Sequence, residues 1–303
     1  MTEEAERVWL VTGGTGQVGR ALAQLTTPGV RVISPGRGSV DLADPSLSVE
    51  EVFEREHVTA IINCGAFTQV DRAETEKQLA FEVNAIAPGR LARSAARHDI
   101  PIVQVSTDYV FAGDKPTPYI EADKPDPHTV YGLSKLAGER EVAASGARHA
   151  IVRTAWVFSP GGRNFLRTML QLGAERQQLS VVDDQYGSPT HATDLAQALA
   201  TIASGLEAGR VDSGIWHVCN SGDTTWFGFA ERIFERAQQH GRHPPALRPV
   251  TTTEYRTPAR RPANSRLATH KAQRDFGVSL RPWQEACDEA VDAVCSRRIG
   301  EMR

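Results

Sequence analysis

The chain has 303 residues, 40% of them hydrophobic and 23% charged, with 34 Lys and Arg against 37 Asp and Glu and a formal net charge of −3. This is the composition of a folded globular protein, and the near-balanced charge gives no support to non-specific binding of nucleic acid or anionic membranes. No apolar run approaches the ~18 residues of a membrane span, and the acidic, polar start Met1–Arg7 does not read as a signal peptide.

Strand and helix signals alternate from the start. Val8–Thr12 is a short apolar run that ends in a glycine-rich turn, and Arg20–Leu25 follows as a helix. Val30–Ser34 reads as a second strand. Asp44-Pro45 opens a second helix carrying Val49, Val52 and Phe53 on one face. Val58–Asn63 is a third strand, Gln78–Arg97 one long helix, and Ile100–Ser106 a fourth strand. A helix starts near Tyr131, and Ala147–Val157 is a fifth strand. Such alternation implies parallel βαβ units, hence a doubly wound, Rossmann-type α/β sheet covered by helices on both faces.

The second half is less regular. Asn164–Glu175, Thr193–Ser204, Phe227–Gln239 and Arg281–Arg297 read as helices, Ile215–Cys219 as one more strand, and 240–264 as an ordered loop or surface segment. Residues 1–160 are therefore expected to form the dinucleotide-binding domain. Residues 161–303 would form a smaller C-terminal substrate lobe, with a segment near 193–235 returning to the first domain.

Gly13, Gly16 and Gly19 stand between the first strand and the first helix as G-x-x-G-x-x-G. Glycines there let the backbone turn tightly and approach a pyrophosphate, whose charge then sits at a helix N-terminus. Gln17 and Val18 complete that turn. Sites that prefer NAD place an acid at the end of the second strand. Here the place reads Ser34-Pro-Gly-Arg37, and a guanidinium suits the 2′-phosphate of NADPH. The alternatives are a solvated Arg37 and use of NADH. Asp41 and Leu42 follow and are placed to line the adenine pocket. Cys64, Gly65 and Ala66, small residues ending the third strand, allow a cofactor close approach.

Tyr131-Gly-Leu-Ser-Lys135 is Y-x-x-x-K on a helix, with phenol and amine on one face. An adjacent cation favours an ionised phenol and should lower its pKa, giving a proton donor suited to neutral pH. Thr107 ends the fourth strand, where ligands of an open α/β sheet bind, and it can donate to the same substrate oxygen. Asn84, in the long helix, is placed to support the site.

Together these residues resemble the extended short-chain dehydrogenase/reductase superfamily, and more closely the dTDP-4-dehydrorhamnose reductase family. The resemblance runs over nearly the whole chain. It is carried by Ser106-Thr-Asp-Tyr-Val-Phe111, Val130-Tyr-Gly-Leu-Ser-Lys-Leu-Ala-Gly-Glu139 and Arg153-Thr-Ala-Trp-Val157. In the divergent half it is carried by Val182-Asp-Asp-Gln-Tyr-Gly-Ser-Pro-Thr190 and Arg261-Pro-Ala-Asn-Ser-Arg-Leu267.

The resemblance implies a cytoplasmic enzyme that reduces the C4 keto group of a dTDP-linked 4-keto-6-deoxy sugar with NAD(P)H. It makes Tyr131 the acid, Lys135 the holder of the nicotinamide ribose and Thr107 the third catalytic residue. Val70, Asp108 and Trp156 then contact the sugar. An indole offers an apolar wall and one donor, although Trp156 could also be simply packed. NDP-sugar 4,6-dehydratases carry Asp-Glu after the catalytic Thr. Asp108-Tyr109 lacks the second acid, which argues against that reaction. A ketoreductase for a related dTDP-deoxysugar (of dihydrostreptose type) and a regulatory subunit resembling that of methionine adenosyltransferase stay open.

Some relatives dimerise around Mg²⁺ held by carboxylates. No acidic cluster in this sequence matches such a site, so monomer and homodimer remain alternatives and no metal ligands are assigned. The nine His form no H-x-H or H-E-x-x-H pattern, and the four scattered cysteines read as reduced thiols. One local feature departs from the charge balance. From 240 to 274 there are eight Lys or Arg and a single acid. With Arg261 among them, the stretch is expected to meet the diphosphate of a sugar nucleotide.

Overall fold

The computed structural model describes residues 6–296. Most of Met1–Arg7 and the expected helix end at Arg297 lie outside them. The strands are β1 (Arg7–Thr12), β2 (Val30–Ile33), β3 (Ala60–Asn63), β4 (Ile102–Thr107), β5 (His149–Thr154), β6 (Val157–Phe158) and β7 (Gln178–Val182). After these come β8 (Tyr186–Gly187), β9 (Thr190–His191), β10 (Gly214–His217), β11 (Asn220–Ser221), β12 (Thr224–Thr225), β13 (Ala246–Val250) and β14 (Leu280–Pro282). The helices are α1 (Gln17–Gln24), α2 (Glu50–Glu56), α3 (Val70–Ala73), α4 (Lys77–Phe81), α5 (Ala87–Arg97) and α6 (Val130–Ala143). The second half adds α7 (Phe165–Glu175), α8 (Ala192–Glu207), α9 (Trp226–Gln239), α10 (His270–Phe276) and α11 (Trp283–Cys295).

Six parallel strands form the central sheet in the order β2-β1-β3-β4-β5-β10. The strands are apolar almost throughout, as burial on both faces demands. One face packs Trp9, Val11, Ile62, Val103 and Val152 against Leu195, Leu199 and Ile202 of α8. The other packs Leu10, Ile61, Ile102 and Ile151 against Phe53 of α2 and Leu91 and Ala95 of α5. Thus α8 and β10, from the second half of the chain, complete the central sheet and cover one of its faces. A separate core joins α7, α9 and α11 through Leu166, Phe229, Ile233 and Val291. The chain runs to opposite sides of β1 into β2 and β3, so the topological switch point lies between β1 and β3.

Four expected elements change. The helix opened by Asp44-Pro45 begins only at Glu50, because Asp44 accepts the Ser46 N–H and hydroxyl at 2.8 and 2.7 Å and holds a turn instead. The helix 78–97 contains a wide π-turn at Glu82–Ile86. Pro88 has no N–H to give the Asn84 carbonyl, which removes one i→i+4 bond there. The fifth strand breaks at Trp156, whose φ of 49° is left-handed, before resuming as β6. Finally, 240–264 contains β13, which pairs in parallel with β7. Its one Pro sits on a strand with a single partner, where the missing N–H is tolerated.

Candidate active site

The glycine turn is built for close backbone approach. Gly13 has φ +71°, and a Cβ on it would lie 2.6 Å from the Gly65 amide nitrogen across the switch point. A Cβ on Gly19 would meet the Gly13 carbonyl at 2.4 Å. Helix α1 starts at Gln17, with Gly16 at its N-cap and no side-chain cap, so the N–H groups of its first turn have no side-chain acceptor. Leu42 is buried with its Cδ1 close over Gly65, and the Asp41 carboxylate accepts the Ala43 N–H at 3.0 Å. Arg37 lies exposed in the turn after β2.

Beneath this loop the strand ends are tied together. Thr12 is bonded to the Asn63 amide oxygen, Gly65 N–H also donates to that oxygen at 3.2 Å, and Asn63 Nδ2 donates to Gln104 at 2.7 Å. Gln17 does more than line the turn. Its amide oxygen accepts from Ser159 at 2.7 Å and Asn164 at 2.8 Å, and its Nε2 donates to the Val157 carbonyl at 3.3 Å. It therefore joins the glycine turn to the segment that follows Trp156.

Helix α6 places Tyr131, Lys135 and Glu139 one turn apart, all buried. Thr129 caps it by accepting the Gly132 N–H at 3.0 Å. Lys135 Nζ donates to the Val105 carbonyl at 2.7 Å, which aims the amine at the end of β4. Burial pulls it down to about 8, against the opposing carboxylate of Glu139 and the neighbouring Cys64. Glu139 accepts Arg153 through both oxygens at 2.9 and 2.7 Å and the Ser106 hydroxyl at 2.5 Å. Arg153 also lies 5.0 Å over the Phe111 ring. A fixed, fully buried ion pair thus anchors the residue before Thr107.

Thr107 sits against the Tyr131 phenol at the end of β4 and donates to Asp108 at 2.8 Å. Burial raises the phenol well above its ordinary value. Thr107 opposes this, while Asp108 and Tyr109 add to it. That corrects the expectation of a lowered phenol, because Lys135 is not among the groups that act on it. Asp108 is itself pushed up to about 6 by burial, against the Thr107 hydroxyl that donates to it, the nearby Ser265 hydroxyl and the backbone N–H groups of Asp108 and Tyr109. The Cys64 thiol is driven up to about 12 by burial, with Lys135 pulling the other way.

Val70 packs beside Tyr131 with Phe67, Phe81 and Tyr109. Trp156 stacks on Trp226 and presses on Gly187. Arg261 reaches the site but is not a free cation. It donates to Asp71 at 2.7 Å and touches the hydroxyl of Tyr109, whose ring packs edge-on to Tyr131 at 5.5 Å. The basic stretch is likewise divided. Lys271 donates to the Ile215 carbonyl at 2.6 Å on the edge strand β10, and Arg274 pairs with Asp275. Asn84 bonds Phe67 through both its amide oxygen and nitrogen and also reaches Ser134, bracing α6. Among the described residues no group of three or more His, Cys, Asp or Glu could hold a metal ion.

Comparisons with known proteins agree with this geometry. A family model described as the RmlD substrate binding domain matches residues 7–296. The dTDP-4-dehydrorhamnose reductase of Sinorhizobium fredii is 41% identical over 286 residues, covering 94% of this chain and 96% of its own.

The chain belongs to the dTDP-4-dehydrorhamnose reductase family.

The Escherichia coli member of this family is 40% identical over 282 residues, 91% of this chain and 94% of its own. The crystal structure of the Bacillus anthracis dTDP-4-dehydrorhamnose reductase in complex with NADP superposes with TM-score 0.87 at 34% identity, covering 94% of this chain and 98% of that one. The UDP-glucose 4-epimerase of Thermus thermophilus in complex with NAD shares the fold, with TM-score 0.78 at 21% identity and coverage of 95% and 99%. As in these relatives, the central sheet is of Rossmann type. No helix among the described residues is long and apolar enough to cross a membrane.

Proposed function

We propose that this protein is an NADPH-dependent reductase that converts the C4 keto group of dTDP-4-dehydrorhamnose to the alcohol of dTDP-L-rhamnose. The observation that carries the reading is the meeting of Thr107, Tyr131 and Lys135 at the end of β4, beside the Gly13–Gly65 crossing. Relatives named for this reaction, about 40% identical over most of their length, support it.

The residues fit a dinucleotide. The Gly13–Gly19 turn and the uncapped start of α1 would take its pyrophosphate, and Arg37 the 2′-phosphate. Cys64, Gly65, Ala66 and Leu42 would line its path, with Lys135 on a ribose hydroxyl. When bound, the cofactor supplies the hydride for C4.

Tyr131 holds the proton that goes to the C4 oxygen. A phenol raised by burial keeps that proton until the oxygen gains charge, which suits a general acid. Thr107, beside it, orients the carbonyl through its oxygen. Lys135 and the Glu139–Arg153 pair fix the end of β4 from below. Val70 and Trp156 supply the apolar wall for the 6-deoxy methyl group, and Arg261, held by Asp71, lies where the sugar nucleotide enters.

Mixing the protein with dTDP-4-keto-6-deoxy-L-lyxo-hexulose and NADPH tests the proposal. Nicotinamide absorbance should fall and dTDP-L-rhamnose should form. Absence of oxidation would remove the reading, and another sugar product would make this the ketoreductase of a related dTDP-deoxysugar. Tyr131→Phe should lower kcat at least ~10²-fold.

A further inference from the structure

The inference rests on the reductase reading and concerns where the Thr107 proton points. A hydroxyl has one proton and two lone pairs. With Asp108 ionised, the Thr107 proton is committed to Asp108 Oδ1 at 2.8 Å, and one lone pair accepts the Tyr109 N–H at 3.2 Å. The Tyr131 phenol lies beside Thr107. So arranged, Thr107 has no proton for a carbonyl oxygen. A carboxyl that carries its own proton reverses the chain. It donates to Thr107 Oγ1, which frees the Thr107 proton for the substrate.

Asp108 is placed to carry that proton. Its side chain is buried, and Oδ2 has no hydrogen-bond partner among the described residues. The titratable groups that face it are the Tyr109 phenol beside it, the Tyr131 phenol from α6 and the Cys219 thiol beyond β10, and against it lie the Thr107 and Ser265 hydroxyls and the backbone N–H groups of Asp108 and Tyr109. All are neutral at pH 7, and none is a cation. Arg261, which reaches Tyr109, is already paired with Asp71. A carboxylate in such surroundings loses its hydration without gaining a counter-charge.

We propose that Asp108 is a positioning residue acting through Thr107: protonated, it turns the Thr107 hydroxyl towards the substrate carbonyl, and ionised, it turns it back. The proton enters from solvent and returns to it, so the overall reaction is unchanged.

The pH dependence of kcat/KM and an infrared titration test this. For the wild type, kcat/KM should fall at least ~5-fold from pH 6 to pH 8. Asp108→Asn, neutral at every pH and able to donate through its amide, should flatten that limb. The wild-type minus Asp108→Asn difference spectrum should show a carboxylic C=O band at pH 5 that is lost by pH 8. Thr107→Val removes the 2.8 Å donor to the carboxylate and should move that titration upward. An unchanged limb in Asp108→Asn would overturn the proposal, as would a carboxyl already ionised at pH 5 or a titration that Thr107→Val does not raise. If the wild type itself shows no turnover, the reductase reading fails, while the infrared titration still decides the state of Asp108.

Discussion

Trp156 lies flat on Trp226, with ring centroids 3.5 Å apart and planes 8° from parallel. The pair links the strained turn after β5 to the start of α9, and so joins the end of the central sheet to the lobe. A left-handed backbone at a bulky residue costs about 1–3 kcal/mol, and this stacking helps to offset it.

Gly187 cannot gain a side chain in this arrangement. A Cβ there would lie 2.4 Å from Trp156 Cε2. Gly187→Ala should displace the indole and raise KM for the sugar nucleotide about 10-fold, which is ~1.4 kcal/mol of binding. Circular dichroism should stay native. An unaltered KM would take Trp156 out of the substrate wall.

Lys135 trades stability for function. Its amine titrates near 10.5 when unfolded and about 8 when folded. Between those values the unfolded chain binds more protons, so this contribution raises stability as pH climbs from 8 to 10.5. The penalty is fully present below 8. Lys135→Met should therefore stabilise the protein at pH 7 by roughly 1–2 kcal/mol, with less gain at pH 10, and abolish turnover. Denaturant melts at the two pH values check it. A variant destabilised equally at both would show that the buried amine carries no such penalty.

The Arg153–Glu139 pair behaves differently. Both side chains are nearly inaccessible, at 1% and 4% exposed. Arg153→Met leaves Glu139 buried without its counter-charge and should cost about 3–5 kcal/mol. Adding Glu139→Met should recover most of that loss. A double variant as unstable as the single one would place the cost in packing against Phe111 instead of charge.

Much of this was legible in the sequence because the chemistry follows local patterns. Apolar runs punctuated by Gly, Pro and Asp mark β1 to β5 and β10 to within a few residues. Y-x-x-x-K on a helix, with Thr107 at a strand end, marks the candidate catalytic face. What escaped depends on partners distant in the chain or on backbone detail. Nothing in the periodicity of 78–97 signals the π-turn except Pro88. Nothing near Arg261 announces Asp71, and no local rule pairs Trp156 with Trp226. The Ala246–Val250 strand is largely exposed and contains Pro249, so it lacks the apolar alternation that marks a strand. The phenol of Tyr131 was misread because spacing shows which side chains share a helix face, but not how deeply they are buried.

The proposed preference for NADPH rests on Arg37. Its guanidinium is exposed in the turn after β2. Arg37→Ala should reduce the ratio of kcat/KM for NADPH over NADH about 10-fold. A ratio that does not move would assign the preference to another residue.

The central claim is that a hydride reaches C4 of a dTDP-linked 4-keto-6-deoxy sugar in this active site. Turnover with NADPH deuterated at the transferring position of its nicotinamide tests it most directly, with the sugar product read by NMR. The account predicts one deuterium at C4 of a dTDP-L-rhamnose product, and almost none when Tyr131→Phe replaces the wild type. Deuterium at another carbon, or none in the sugar while wild-type NADPH is consumed, would contradict it.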